Sequence, residues 1–527
     1  MNTRITTQLA VIAVLAALLF TLTYTWARPN SVFDQLDLLV DIRHELMQNY
    51  VDEPDQQALV EAAVRGMIES LNDPHTTYLT AEDLEGFDRQ VRGSFSGIGA
   101  EVDLHENRLR IVTPLEDSPA WEAGVMAGDI VLEINGESTL DMDLTEAVRR
   151  LTGESGTDVT IRVRHESGEE QNITITRDVI NIQTVRGFRR NADHHYDLLI
   201  DDENQIGYLR LTQFTERTSD ELRAALEELK EQNARGLILD MRYNPGGLLE
   251  SAVQVSDMFL PEGQTVASVE GRTVPRQVYR ARTEPLLDED LPIVVLVSEG
   301  SASAAEIVSG ALQDNERALV VGTRTFGKGS VQQVRMLEGG QGALKMTNAY
   351  YYLPDGRLIH RRDDADVWGV DPNDGSYVPM TPEQTREMLR VRRESDRVLH
   401  DNGDEAPADV TPEVIEEQLK DPQLAAALRA VLGKLETGDW PQVGESNADA
   451  LVAASRRQNL TQRREMLLEQ ITELEGELEK IDAGEWTPGD EAAAEGAGEH
   501  KGEGEFVPDD EPAIEERQPD ELEPATP

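Results

Sequence analysis

A chain of 527 residues is too long for one ordinary core, so several modules with linkers or tails are expected. The formal charge of -52, dense in the last hundred residues but spread along the whole chain, makes a polyanion that nucleic acid repels, which excludes a DNA- or RNA-binding role. With no cysteine, Cys nucleophiles, disulfides and thiolate zinc sites are excluded too.

In chain order, Met1 to Arg4 is a positive n-region, followed by an apolar run from Leu9 to Leu22 and then Tyr24 and Trp26. This predicts an export signal over residues 1–27, either retained as a membrane anchor or cleaved after Ala27. Export would put the protein at the periplasmic face of the cell membrane, or free in the periplasm. From Ser31 to about residue 92, apolar residues at helical spacing (Leu36, Leu39, Val40, then Leu59, Ala63, Met67) predict two helices broken at Asp52-Glu-Pro-Asp55. From Gly93 to about residue 180 short alternating runs predict strands, with turns at Asn135-Gly136 and Ser167-Gly168 and one helix over Leu144 to Leu151.

From residue 181 to about 380 strands alternate with helices. Strands are predicted at Ile206 to Leu211, Gly236 to Asp240, Ile293 to Ser298 and Ala318 to Val321, and helices at Ser219 to Gln232, Leu248 to Phe259 and Ala304 to Asp314. That order implies an α/β core with its site beyond the strand C-termini. Residues 381–483 read as a charged helical or coiled-coil region through which the chain could assemble. Residues 484–527 carry too little apolar surface to offset ordering entropy, and predict a disordered acidic tail.

Ser303 lies in Ser298-Glu-Gly-Ser-Ala-Ser-Ala-Ala-Glu306, where a buried strand meets a helix whose N-terminal N–H groups and dipole favour developing negative charge. The same Ser303-Ala-Ala-Glu306 also reads as a capping box. Between residues 200 and 379 the one histidine is His360, so a histidine base is poorly served; of the lysines there (Lys230, Lys328, Lys345), Lys328 stands apart between two glycines. To act as a base it must fall by about three units from ~10.4, which burial can achieve if no carboxylate touches it. Gln332 could orient the amine. Gly246 and Gly247, in a turn after the strand 236–240, could join the N–H of Ala304 in an oxyanion hole, although Asn-Pro-Gly-Gly also reads simply as a turn. Gly322 to Lys328 matches a phosphate-binding GxxxxGK pattern, but Gly329 stands where Ser or Thr would hold magnesium, and Ser330-Val-Gln-Gln-Val reads as a strand rather than a helix. There is no HExxH, and the adjacent His194 and His195 read as a solvated loop, so no metal or cofactor is expected.

Together these segments resemble the C-terminal processing (tail-specific) serine peptidases over roughly Val32 to Val378. The resemblance implies a crotonase-like α/β peptidase core, with Ser303 as nucleophile, Lys328 as base 25 residues later, Gln332 positioning the lysine, and Asp314 as a structural match. It also makes residues 93–180 a mostly-β PDZ-like domain, on Asp117-Ser-Pro-Ala-Trp-Glu-Ala-Gly124 and Ala127-Gly-Asp-Ile-Val-Leu-Glu-Ile-Asn-Gly136, with Gly97, Ile98 and Gly99 in the place of the carboxylate-binding loop. The implied partners are proteins and peptides with exposed C-termini, cut through an acyl-enzyme. The alternative is a catalytically silent PDZ-containing adaptor. The stretch from Gly356 to Asp371 departs from the family pattern and is expected not to touch the catalytic motifs.

Overall fold

The computed structural model describes residues 31–446 except 106, 116–117, 166, 191–194, 341, 363–366 and 397–409, together with scattered positions between 453 and 478. The export signal expected over residues 1–27 and the disordered tail expected over 484–527 lie outside the described residues. Among the described residues no helix is long and apolar enough to cross a membrane.

The described residues from 31 to 446 form one compact unit. It opens with helices α1 (Ser31–Asn49) and α2 (Gln56–Glu69), the latter capped by Asp55, then strand β1 (Thr77–Leu79) and helix α3 (Ala81–Arg92). Thr80 and Asp83 form a reciprocal capping box that starts α3, and Gly93 in the left-handed region ends it.

The PDZ-like module comes next. Strand β2 (Ser94–Gly97) pairs with β9 (Asp178–Asn181). Between them β3 (Ala100–His105), β4 (Arg108–Pro114), the short helix α4 (Pro119–Glu122), β5 (Ile130–Ile134), β6 (Glu137–Ser138), helix α5 (Leu144–Leu151), β7 (Asp158–Arg164) and β8 (Glu170–Thr176) build an antiparallel sheet of order β3-β4-β5-β7-β8, with β6 on β5. Alternation puts Val159, Ile161 and Val163 inward on β7, where with Leu109, Ile111 and Ile175 they form a separate small core.

The peptidase-like core begins with β10 (Val185–Arg186), the short pair β11 (Arg189–Arg190) and β12 (Tyr196–Asp197), and β13 (Leu199–Asp201). Then come β14 (Ile206–Leu211), α6 (Thr218–Glu231), β15 (Gly236–Asp240), α7 (Leu249–Asp257), β16 (Thr265–Glu270), β17 (Gln277–Arg280), β18 (Ile293–Val297), α8 (Ala304–Asp314), β19 (Leu319–Gly322), β20 (Ser330–Met336) and β21 (Ala343–Tyr352). Strands β14, β15, β18 and β19 are adjacent and parallel, each joined to the next by a helical crossover. Their uninterrupted apolar sequences, such as Ile-Val-Val-Leu-Val in β18, suit strands covered on both faces. A second, antiparallel sheet runs β1-β21-β16-β17 with β20 on β21. Helix α8 packs on β19 and on β16, so it lies between the two sheets.

The other face of the parallel sheet is covered by residues that the sequence pattern assigns to a separate C-terminal region. After α9 (Pro382–Asp396), helices α10 (Pro412–Glu417) and α11 (Pro422–Thr437) put Ile415, Leu424, Leu428 and Val431 against Tyr208, Ile238, Val294 and Leu319. The apolar stretch Leu424-Ala-Ala-Ala-Leu428 is thus a core layer. Asp421 caps α11 and Pro422 occupies its first turn. The unit from 448 onward, described by itself, is helical at its described positions and exposes Leu460, Leu467, Ile471 and Leu474.

Candidate active site

Two loops leave the parallel sheet at neighbouring strand ends. After β18, Ser298 to Ala302 is fastened to the loop after β15: the Ser301 hydroxyl donates to the Met241 carbonyl at 2.8 Å and the Ala302 N–H to the Asn244 carbonyl at 2.9 Å. The chain then turns sharply at Ser303, with φ 56° and ψ -113°, before α8 starts. A left-handed φ at a non-glycine residue costs free energy that surrounding structure must offset, and such strain concentrates at functional turns. Ser303 is buried, and its side chain lines the same cleft as Tyr351 of β21.

Lys328 sits in the loop between β19 and β20. The chain continues from it into a strand, so the phosphate-binding resemblance of Gly322 to Lys328 has no helix to serve it. The lysine is half-buried, and no carboxylate lies within ion-pair distance of its ammonium among the described residues. Burial pushes its pKa below the ordinary lysine value, the nearby charge of Lys345 pushes the same way, and Glu306 and Asp73 oppose them. A cleft of about 830 Å³ brings together Ser303, Lys328, Gln332, Gly246, Gly247 and Tyr351.

Three site expectations need correction. The Gly246 N–H is taken by Asn244 Oδ1 at 2.8 Å, so it cannot face an oxyanion, whereas the N–H groups of Gly247 and Ala304 have no acceptor among the described residues. Gln332 does not bond the lysine: its Nε2 donates to Ser330 Oγ at 2.9 Å and to Thr347 Oγ1 at 3.3 Å. The stretch from Gly356 to Asp371 does touch the catalytic motifs. The Arg361 N–H donates to the Gly327 carbonyl at 2.8 Å, and the Val370 N–H to Thr325 Oγ1 at 2.7 Å. Gly327, at φ +93°, permits this approach, because a Cβ there would stand 2.6 Å from the Trp368 ring.

Sequence reasoning also missed contributors from afar. Thr77 pairs with Lys345 through β1 and β21, and Thr76 Oγ1 accepts from the Thr347 N–H at 3.0 Å, which brings the segment from Asp73 beside the lysine loop. Burial and then the Lys328 charge push His75 down to about 4. Glu306 is fully buried and accepts from Ser303 N–H and Gly327 N–H at 2.7 Å, Lys328 N–H at 2.8 Å and Thr325 Oγ1 at 2.6 Å. Its place in a capping box is the signal available in the sequence, but that accounts for one of the four bonds.

In the PDZ-like module, Ile98 is buried and Gly99 takes φ +77°; their carbonyls are held by Ala120 N–H and Ser118 Oγ, both at 2.8 Å. The N–H groups of Ile98 and Gly99 have no acceptor among the described residues, and Gly97 ends β2 beside them.

Residues 205–374 match peptidase family S41, 110–165 match the PDZ domain, and 28–83 match the N-terminal domain of the activating protease CtpB. A carboxy-terminal-processing protease of Bartonella bacilliformis is 40% identical over 335 residues, covering 63% of this chain and 74% of that one. The chain belongs to peptidase family S41. Within that family of PDZ-containing carboxy-terminal processing peptidases, CtpA of Bacillus subtilis is 35% identical, covering 66% of this chain and 70% of its own. CtpB of the same organism is 31% identical, covering 71% and 75%. Among solved structures, a photosystem II D1 C-terminal processing protease is 29% identical, covers 64% of this chain and 86% of its own, and has a TM-score of 0.38. The peptidase core as folded here extends past the family match at residue 374, through α11.

Proposed function

We propose that the protein is an exported serine endopeptidase that engages the C-terminal segments of its substrates and cuts them with a Ser303–Lys328 dyad. The observation that carries this reading is the shared cleft: a strained, buried serine at a helix N-terminus together with a half-buried lysine that has no carboxylate partner among the described residues. Neutral Lys328 takes the Ser303 proton as Oγ attacks the scissile carbonyl carbon. The resulting oxyanion rests on the N–H groups of Gly247 and Ala304. Lys328 then returns the proton to the leaving amine, an ester to Ser303 remains, and water activated by the same amine releases the new C-terminus. Gln332 lines this cleft, and its Oε1 suits it to accept from the ammonium once the proton has moved.

On the same reading, Gly97, Ile98 and Gly99 receive the substrate's terminal carboxylate while its last residues add to the edge of β3. Residues 1–27 direct export and either anchor the chain at the periplasmic face or are removed. Exposed Leu36, Leu39 and Ile42 on α1 support self-association through the helical leader.

A loosely folded protein with an apolar C-terminus, incubated with residues 28–527 and read by mass spectrometry, tests the function. The parent should cut it and Ser303→Ala should not, with both melting alike. Cleavage by Ser303→Ala, or an inert parent in the presence of C-terminal peptides, overturns the endopeptidase reading and favours an adaptor. For the oxyanion loop, Gly247→Ala would place a Cβ 2.0 Å from the Phe214 carbonyl oxygen at φ +146°. Moving that donor should lower kcat by about 100-fold; steady-state kinetics giving an unchanged kcat would remove Gly247 from the hole.

A further inference from the structure

The Ser303–Lys328 reading leaves one group unused. Glu306 is a fully buried carboxylate with no ion-pair partner among the described residues, an arrangement that is costly unless its acceptor sites are filled. They are filled, and the donors come from two different loops. Ser303 donates from the nucleophile turn, while Thr325, Gly327 and Lys328 donate from the base loop. A helix cap needs only the first of these. The other three have no part in starting α8, and they include the backbone N–H of the base itself.

We propose that Glu306 is the positioning residue of the dyad: its ionised carboxylate ties the Ser303 turn to the Lys328 loop, and protonating it undoes the alignment. The proposal rests on the Ser303–Lys328 reading. A carboxylate offers acceptor sites on both oxygens, whereas the protonated acid must place a hydrogen on one of them. Oε1 already receives Thr325 Oγ1 and Gly327 N–H, and Oε2 receives Ser303 N–H and Lys328 N–H. A proton on Oε2 would face two N–H donors and cost a tether, and a proton on Oε1 is accommodated only if the Thr325 hydroxyl turns from donor to acceptor, so protonation either breaks or weakens the link between the two loops.

The titratable groups facing Glu306 are Lys328 from the base loop and Tyr351 from β21; Lys345, Asp73 and His75 act on Lys328 from β21 and the leader, with His360 beside His75. Burial raises Glu306 to about 7, against the pull of its four hydrogen bonds. Two groups must then be deprotonated for turnover, Glu306 and Lys328. The acid limb of log kcat/KM against pH should therefore approach the slope of two protons rather than one.

The full chain is assayed from mildly acidic to alkaline pH as parent, Glu306→Gln and Thr325→Val, with circular dichroism to check folding. Glu306→Gln should lose about 100-fold in kcat with KM changed by less than about threefold. Its acid limb should fall to a one-proton slope and move to lower pH, because removing the Glu306 charge eases deprotonation of Lys328. Thr325→Val keeps the carboxylate but removes its 2.6 Å donor, so its acid limb should move to higher pH. A merely structural role would shift neither limb. Glu306→Gln with parental kcat, or with the parental slope and midpoint, overturns the proposal. Should Glu306→Gln not fold, Thr325→Val decides alone: an unmoved midpoint overturns it. Ser303→Ala and Lys328→Ala run alongside, and turnover by either rejects the dyad whatever Glu306→Gln does.

Discussion

Replacing Asp421 with Ala should cost about 3–5 kcal/mol and lower Tm by roughly 10 °C, although the residue lies beyond the segment that matches the peptidase family. Arg242 is fully buried and held from both sides. Asp240 binds its Nε at 3.0 Å and Nη2 at 2.7 Å, and Asp421 binds Nη1 at 2.7 Å and Nη2 at 2.8 Å. Arg392 approaches both carboxylates, at 3.2 and 3.4 Å, which makes two cations and two anions in balance. Removing one anion leaves an uncompensated charge out of reach of water, and removes the cap of α11 as well. Because Arg242 begins the loop that ends at Gly247, activity should fall together with stability. Thermal melting of Asp421→Ala within about 2 °C of the parent would contradict this. The pH dependence has a definite sign. Burial raises both carboxyls, but the charges of Arg242 and Arg392 together with the hydrogen bonds each carboxylate accepts more than offset it, so each pKa lies below its unfolded value. The network's contribution is therefore intact above the ordinary carboxylate range, and is lost only as pH falls through the depressed folded values in strong acid.

Lys328→Ala should lower kcat by roughly 10³–10⁴-fold with little change in KM, since a general base acts in the transition state and not on bound substrate. Lys328→Arg separates charge from proton transfer. It keeps a cation of similar reach, but a guanidinium does not give up its proton near neutral pH and should be equally inactive. In the parent, activity should rise with pH through the depressed lysine pKa. Lys345→Met, which removes the second-largest cause of that depression, should move the limb to higher pH. Steady-state kinetics on these variants decide the matter, and an active Lys328→Arg would point to another base.

Much of the fold was legible because its signals are local. The buried strand Ile293–Val297, the helix from Ala304 and the strand Leu319–Gly322 each announce themselves over a handful of residues, and they deliver Ser303 and Lys328 to adjacent strand ends. What escaped depends on distant partners. That Thr77–Leu79 would pair with Ala343–Lys345 has no local mark. The loss of Gly246 as a donor comes from where the Asn244 side chain turns. Glu306 looked like a cap because its sequence neighbours explain one of its bonds, while the other three come from a loop about twenty residues away. In the case of α11 the signal was present: Leu-Ala-Ala-Ala-Leu is apolar on every face, as a helix sandwiched into a core must be, but the charged residues on either side hid it.

Trapping the acyl-enzyme tests the Ser303–Lys328 dyad itself. Parent protein is mixed with substrate, quenched in acid within a turnover, digested, and searched by mass spectrometry for the peptide that contains Ser303. A mass increment equal to the N-terminal cleavage fragment less water is expected on Ser303 alone, and none in Lys328→Ala. An increment on another residue, or turnover with no covalent species at Ser303 under any quench, would contradict it.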